Sequence, residues 1–217
     1  MIIGLVGFIG SGKGTVADIL MSRYDYVKES YANSVKDAVS AIFGWDRDML
    51  EGDTAKSRAW REENDEWWSN KLGNPISPRL ALQLMGTEAG RDVFHQDLWV
   101  HTLRNRVEKA NWRNYVIADV RFPNEIKSIH EMGGIVCRVT RGDDPEWYNL
   151  AMQCNTGAIR DDAMTESYPD VHYSEWAWIG SDIDFTVGNN GSIFELEEKV
   201  DLLANFAYNK ASTIERG

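Results

Sequence analysis

The fold is decided near the start of the chain, by the stretch Gly7-Phe8-Ile9-Gly10-Ser11-Gly12-Lys13-Gly14-Thr15. Before it, residues Ile2 to Val6 form a short apolar run, and after it Val16, Ile19 and Leu20 recur at helical spacing. The order predicts a strand, a glycine loop and a helix. This is the opening unit of a parallel α/β fold.

The glycine loop has the composition of a phosphate-binding loop. Its glycines allow close approach of the backbone, so that successive N–H groups and a helix N-terminus point at phosphate oxygens, and Lys13 would bridge the β- and γ-phosphates of ATP. The match to GxxxxGK[ST] is imperfect, because Gly14 stands where the magnesium-binding Ser or Thr is expected and Thr15 is one place later. A turn that binds nothing is the alternative, which the order of strand, loop and helix disfavours.

Further apolar runs predict the rest of the sheet. Tyr115 to Ala118 and Gly134 to Val139 are typical of buried strands, with a helix from about 124 to 132 between them. Asp184 to Val187 predicts a last strand, and residues from about 193 to 206 predict its covering helix. With 217 residues the chain has the length of one α/β domain.

Two long segments lie outside this strand pattern. Residues 34 to 110 form a helical block interrupted near 73 to 78. In a kinase with such a phosphate-binding loop, an acceptor-binding insertion belongs at this place in the chain. Residues 142 to 180 are polar with weak periodicity and predict a lid-like insertion. We therefore expect a single domain, 1–217, with two insertions.

The peptide Asp119-Val-Arg-Phe-Pro-Asn-Glu125 follows the strand at 115–118. An acid at the carboxyl end of a buried strand beside a phosphate loop can organise Mg²⁺ and its waters, and Arg121 can neutralise phosphoryl charge. The alternative is that Asp119 only caps the next helix.

Composition excludes several classes of protein. The formal net charge of -11 disfavours direct binding to DNA, although the acidity can serve solubility alone. Cys137 and Cys154 lack CxxC spacing, and the four histidines form no HxxxH or HExxH pair, which argues against structural zinc. The start lacks a basic leader and a membrane-spanning length of apolar residues, so we expect a cytoplasmic protein without membrane attachment.

The chain resembles the bacteriophage deoxynucleoside monophosphate kinase family. The GKGT ending of the loop is similar to the loop of nucleoside monophosphate kinases such as adenylate kinase. The resemblance to the narrower phage family depends on QLMGTEAGR (83–91) and DVRFPNE (119–125), with VCRVTR and NNGSIFEL further on. It implies a three-layer α/β/α sandwich with a parallel five-stranded sheet of the P-loop NTPase class, and transfer of the ATP γ-phosphoryl group to a dNMP with Mg²⁺. Such a kinase would work in the host cytoplasm if the chain is phage-encoded.

The resemblance also implies roles for individual residues. The catalytic set would be Lys13, Asp119, Arg121 and Arg91, with Thr15 and Asp119 on the metal. ATP would contact Gly10, Ser11, Gly12, Lys13, Gly14, Thr15 and Arg141. The acceptor would contact Lys36, Arg79, Gln83, Gly86, Thr87, Glu88, Arg91, Trp99 and Glu125, and Arg160, His172 and Glu175 would belong to the lid. The family often carries Arg and Asp where Gly10 and Gly14 stand here.

Several alternatives stay open at this point. Each cation taken singly could be a solvated helix-face residue. Trp60, Trp67 and Trp68 could stack on a base but are more typical of helix packing or of a subunit interface, and a homodimer is compatible with them. Rival functions are a dephospho-coenzyme-A-type or nucleoside kinase, and a nucleotide-binding module without catalysis. The preferred base is not indicated.

Overall fold

A computed structural model describes residues 1–110, 114–160 and 162–214, with the side chains of the last helix described up to residue 212. The chain divides into two compact units, and the first comprises Met1–Ser30 with Val107–Gly217. The second unit is Tyr31–Arg106. The single domain with insertions that the sequence suggested stays a prediction.

The described residues contain five strands and a series of helices. The strands are β1 Ile2–Val6, β2 Tyr26–Glu29, β3 Asn114–Ile117, β4 Ile135–Thr140 and β5 Phe185–Gly188. The α-helices are α1 Lys13–Tyr24, α2 Asn33–Phe43, α3 Ala55–Glu62, α4 Glu66–Leu72, α5 Pro78–Leu84, α6 Leu98–Lys109, α7 Pro123–Glu131, α8 Tyr148–Asn155, α9 Ala163–Ser167, α10 Tyr173–Trp176 and α11 Ile193–Ile214. A 3₁₀ helix spans Met49–Glu51, and a π-helix spans Met85–Phe94.

All five strands pair in parallel, in the order β2-β3-β1-β4-β5. This confirms the predicted five-stranded parallel sheet. Four strands appear where the sequence predicted them, within one residue at each end. The edge strand β2 was missed, because only one of its sides is paired and Lys28 and Glu29 hide the apolar pattern.

Helices cover both faces of the sheet. Alternate β1 residues, Ile3 and Leu5, are fully buried in a cluster with apolar residues of α1 and α11. Gly4 points to the other face, where a Cβ atom would lie 2.4 Å from Cδ1 of Ile129 in α7, so α7 packs closely against β1. The first unit is thus an α/β/α sandwich, as predicted.

The second unit is helical and has its own apolar cluster, formed by Val39, Trp45, Leu50, Ile76 and Ala81. Trp60 and Trp68 pack against this cluster, which confirms the packing interpretation for both. Trp67, in contrast, is 59% exposed. The interruption predicted near 73–78 falls between α4 and α5.

The segment 142–180 departs from its polar pattern. Ala151, Cys154 and Met164 in the short helices α8 and α9 are buried, and so is the run 176–179 that begins at the end of α10. Weak periodicity did not indicate this, because each helix has too few turns to show it. Helix α11 also continues to Ile214, beyond the predicted end near 206. Residues 215–217 lie outside the described residues. None of the described helices has the length and apolar character of a membrane span.

Candidate nucleotide-binding site

The loop between β1 and α1 is tightly built at both ends. Gly7 has φ +140°, and a Cβ there would lie 2.3 Å from the carbonyl oxygen of Val139 in the neighbouring strand β4. Gly12 has φ +101°, and its Cβ would lie 2.2 Å from Nδ2 of Asn189. Both positions favour glycine for their backbone conformation, and Gly7 also lacks space for a side chain because a backbone oxygen lies in the way. At Gly10, in contrast, nothing lies within 4 Å of a Cβ, so the middle of the loop faces open space.

Helix α1 begins directly after this loop without a side-chain cap. None of the side chains that the structure describes accepts a hydrogen bond at its N-terminus, and its first turn contains no acid. The first N–H groups of a helix have no partner inside the helix, and together with the helix dipole they attract anions. Residues Lys13, Gly14 and Thr15 present these N–H groups.

The Lys13 ammonium folds back over the loop. Its Nζ atom donates hydrogen bonds to the carbonyl oxygens of Gly7, at 2.6 Å, and Phe8, at 3.0 Å. Burial lowers the pKa of Lys13 to about 8; the charge of Arg121 lowers it further, and Glu175 acts in the opposite direction. Carbonyls hold this lysine, and none of the described carboxylates is hydrogen-bonded to it, so an arriving phosphate would be able to replace the carbonyls.

Ser11 adds a donor to the same loop. The residue is 3% exposed, and its Oγ atom has no hydrogen-bond partner among the described residues. Its carbonyl oxygen accepts a hydrogen bond of 2.9 Å from Nδ2 of Asn189, which fixes the loop to the turn after β5. A buried hydroxyl without a partner is costly, and a phosphate oxygen would satisfy it.

Arg121 and Glu175 meet close to Lys13. An Arg121 guanidinium nitrogen donates to Oε1 of Glu175 at 3.0 Å and to Oγ of Ser174 at 3.3 Å, and both charges act on Lys13. Glu175 lies on α10, so the structure brings one predicted lid residue to two predicted catalytic residues. His172 precedes α10 and bonds Ser174 through Nδ1, which is a helix-capping contact.

Asp119 lies two residues beyond β3, and its Oδ2 atom accepts a 2.6 Å hydrogen bond from Oγ of Ser30. A carboxylate that accepts backbone hydrogen bonds at the start of α7 is that of Glu125. That carboxylate is 3% exposed and accepts hydrogen bonds from the backbone N–H groups of Arg121, at 2.8 Å, and Phe122, at 3.1 Å. Glu125 therefore shapes the turn that carries Arg121, and its predicted role in acceptor binding stays a prediction.

Two further arginines lie on exposed turns of the first unit. Arg141 follows β4 directly, and the next residue, Gly142, donates its N–H to Oδ1 of Asn190 at 2.7 Å. Arg160 pairs with Asp162 at 3.2 Å and with Glu166, so the acids of its own segment hold it.

The predicted acceptor residues, apart from Glu125, lie in the second unit. The π-helix carries Gly86, Thr87, Glu88 and Arg91, and Gln83 precedes it at the end of α5. Thr87, Glu88 and Gln83 are exposed. Segments of π-helix occur often at functional sites.

Trp99 stabilises this π-helix rather than facing solvent. It is 7% exposed, and its indole Nε1 donates to the carbonyl oxygen of Gly86 at 2.7 Å. A Cβ on Gly90 would lie 2.3 Å from the Trp99 ring, so the two fit only because Gly90 has no side chain. Its predicted contact with the acceptor remains a prediction.

Two of the predicted cations of the second unit, Lys36 and Arg79, are paired with acids. Nζ of Lys36 lies 2.5 Å from Oε2 of Glu51, and Arg79 lies 3.3 Å from Oε1 of Glu62. Sequence reasoning missed Arg61, because no motif includes it. Burial lowers its pKa, and the neighbouring charge of Arg79 lowers it further, which places two arginine charges close together.

The phosphate loop at β1 and the sheet order define the chain as a P-loop kinase, because β1, flanked by β3 and β4, delivers the loop at the switch point of the sheet. A relative assigned as a deoxynucleotide monophosphate kinase of Acanthamoeba polyphaga mimivirus is 30% identical over 152 residues, which cover 65% of this chain and 74% of the relative. The chain belongs to the family of viral deoxynucleoside monophosphate kinases. The deoxynucleoside-5'-monophosphate kinase of Escherichia phage T5 is 29% identical, with 60% of this chain and 72% of that protein covered.

Two of the solved structures that resemble this chain are named as kinases of small molecules. Shikimate kinase of Aquifex aeolicus has a TM-score of 0.43 and 16% identity, with 94% of this chain and 96% of that one covered. Dephospho-CoA kinase of Campylobacter jejuni has a TM-score of 0.37 and 13% identity, with 95% and 96% covered. The fold assignment rests on the sheet order and the loop. The chain matches no family model.

Proposed function

We propose that the chain transfers the γ-phosphoryl group of ATP to a deoxynucleoside monophosphate, giving ADP and a deoxynucleoside diphosphate for DNA synthesis. Family membership supports the reaction class. The observation that carries the donor site is the uncapped N-terminus of α1, with the Lys13 ammonium folded over the loop before it. The reading that the loop is a turn without a ligand leaves both features unexplained.

The donor phosphates would occupy the loop. N–H groups from Gly10 to Thr15 and the Ser11 hydroxyl would donate to phosphate oxygens, and Lys13 would exchange its two loop carbonyls for β- and γ-oxygens. Arg141 would contact the donor nucleotide.

The residues present also fit Mg²⁺. Thr15 supplies a hydroxyl and Asp119 a carboxylate, and magnesium prefers such oxygen ligands, with some contacts made through water. When bound, the ion would neutralise charge on the β- and γ-phosphates.

The second unit would bind the acceptor. Lys36, Arg79 and Arg91 supply cations for the monophosphate, and Gln83 and Thr87 supply donors and acceptors for base and sugar. Lys36 and Arg79 now pair with carboxylates, which a phosphate would replace. Gly86, Glu88, Trp99 and Glu125 complete the proposed set, of which Trp99 and Glu125 are buried.

The reaction needs no general base, because the attacking phosphate oxygen is already an anion at neutral pH. Positioning and neutralisation of charge then supply the catalysis. Arg121 would leave Glu175 to meet the charge on the transferring phosphoryl group. The same proposal assigns Arg160, His172 and Glu175 to a mobile lid. It also includes a homodimer and a cytoplasmic location.

The decisive experiment measures ADP release with each of dAMP, dGMP, dCMP and dTMP, and with deoxynucleosides and dephospho-coenzyme A. Turnover with one or more deoxynucleoside monophosphates is expected. Phosphorylation of an alcohol acceptor alone would replace the proposal with a nucleoside or dephospho-coenzyme-A-type kinase. ATP binding without turnover of any acceptor would leave a nucleotide-binding module.

Lys13→Ala tests the donor site itself. The variant should lose turnover while it keeps the circular dichroism and melting behaviour of the parent, because the hydrogen bonds of Lys13 within the described part of the chain go to loop carbonyls. Lys28→Ala, on the edge strand β2, is the matched control and should keep its activity. Near-normal turnover of Lys13→Ala would exclude the donor site.

A further inference from the structure

Two histidines and an aspartate meet where the π-helix ends and α6 begins. His95 follows the last π-helical residue, Asp97 immediately precedes α6, and His101 lies in the first turn of that helix. Each offers a ligand atom, and the three ligand atoms all lie within 4.8 Å of one another. The two imidazole ring centroids are 5.6 Å apart.

The backbone explains why the three side chains converge. His101 is four residues after Asp97, and its N–H donates to the carbonyl oxygen of Asp97 at 2.8 Å, so both lie on one face of the first helical turn. His95 is held nearby because the N–H of Asp97 donates to its Nδ1 atom at 3.0 Å. Both histidines are exposed, so their rings can turn and a hydrated ion can reach them.

The donor set selects a class of ion. Imidazole nitrogens suit zinc, copper and nickel, whereas magnesium and calcium prefer oxygen alone. Zinc binds imidazole and carboxylate at about 2.0–2.2 Å, so its ligand atoms lie about 3.3 Å apart, and small rotations of exposed side chains bring 4.8 Å to that value. Two histidines, one carboxylate and a water would complete a tetrahedron.

We propose that His95, Asp97 and His101 form a binding site for a divalent transition metal, with Zn²⁺ as its best-fitting ion. Binding requires His95 to turn or to give up the hydrogen bond that its Nδ1 accepts. The site is therefore weaker than a closed site of four protein ligands. The inference is independent of the proposed kinase reaction.

The sequence argued against such a site because no two histidines are spaced for one helix face. His95 lies in the loop before the helix. The three side chains of the sequence His-x-Asp-x₃-His converge because the chain turns into α6 at Asp97. The metal would join the end of the π-helix to α6. The hydrogen bond from Trp99 to Gly86 already joins the same two elements.

The test uses the full chain, purified without a histidine tag. Calorimetry measures its titration with Zn²⁺ alone, and visible absorption measures a second titration with Co²⁺. The expected result is one ion per chain, with at least tenfold weaker binding in His95→Asn and in His101→Asn. His172→Asn is the matched control, an exposed histidine outside the cluster, and should bind as the parent does. Circular dichroism checks that all three variants remain folded.

Asp97→Asn adds a second readout. It should weaken Zn²⁺ binding and change the Co²⁺ absorption, because an amide is a poorer ligand than a carboxylate. Absence of saturable binding overturns the proposal. So does binding that survives both histidine substitutions, because the ion would then lie elsewhere.

Discussion

The lowered pKa of Lys13 predicts that ATP binding weakens as pH rises from 7 to 9. Only the protonated ammonium attracts phosphate, and burial together with Arg121 brings its pKa to about 8. The γ-phosphate loses its last proton near pH 6, so its charge is constant over this range. Loss of the Lys13 proton is therefore the change that we expect to govern binding.

The size of the effect follows from the titration. With a pKa of about 8, the protonated fraction is about 0.9 at pH 7 and about 0.09 at pH 9. The dissociation constant for ATP should therefore rise about tenfold, which is about 1.4 kcal/mol of binding free energy. The steepest change lies near pH 8.

Calorimetric titration of the chain with ATP at fixed Mg²⁺ and ionic strength measures this profile. Lys13→Arg is the first control, because its guanidinium keeps its charge and its profile should be flat. Glu175→Gln removes the charge that raises the Lys13 pKa and should move the midpoint to lower pH, whereas Arg121→Gln should move it higher. A flat profile in the parent, or the same fall in Lys13→Arg, would refute the reasoning.

Two more predictions concern glycine and tryptophan. Gly12→Ala should lower the free energy of unfolding by about 1–2 kcal/mol, because φ is +101° and the new Cβ would meet Nδ2 of Asn189. Gly14→Ala is the control in the same thermal melts. It should be neutral or stabilising, because nothing lies within 4 Å of its Cβ. Equal losses in both variants would contradict this. Trp99→Phe removes the hydrogen bond to Gly86 and should raise KM for the acceptor, while the dissociation constant for ATP stays unchanged. An unchanged KM would show that the π-helix does not contribute to acceptor binding.

The sequence was sufficient for the parts of the fold that have a local cause. Strand β1, the loop and α1 follow one another within 24 residues, and each has its own pattern of apolar residues and glycine. Strands β3 and β4 are buried on both faces, so their apolar runs are continuous. The edge strand β2 escaped because pairing on one side leaves half of its side chains free to be polar.

The contacts that complete the site have no local signal. Arg121 and Glu175 are 54 residues apart in the chain, and nothing in either neighbourhood indicates that they meet. The π-helix was predicted as ordinary helix, since its residues suit both forms and Trp99, which supports it, lies beyond its end. Glu125 resembled a site residue in sequence, although burial and two backbone N–H groups give it a structural part.

Gly10 and Gly14 stand where the resemblance to the family leads us to expect arginine and aspartate. A Cβ at Gly14 would meet no atom within 4 Å, so packing does not account for the missing Asp at this position. The space at Gly10 is equally open, but its φ of +81° disfavours an arginine. The site nevertheless has an arginine and an acid acting on Lys13, because Arg121 follows β3 and Glu175 lies on α10. Since an electrostatic effect depends on where a charge lies and not on which element carries it, these two residues act on Lys13 from outside the loop.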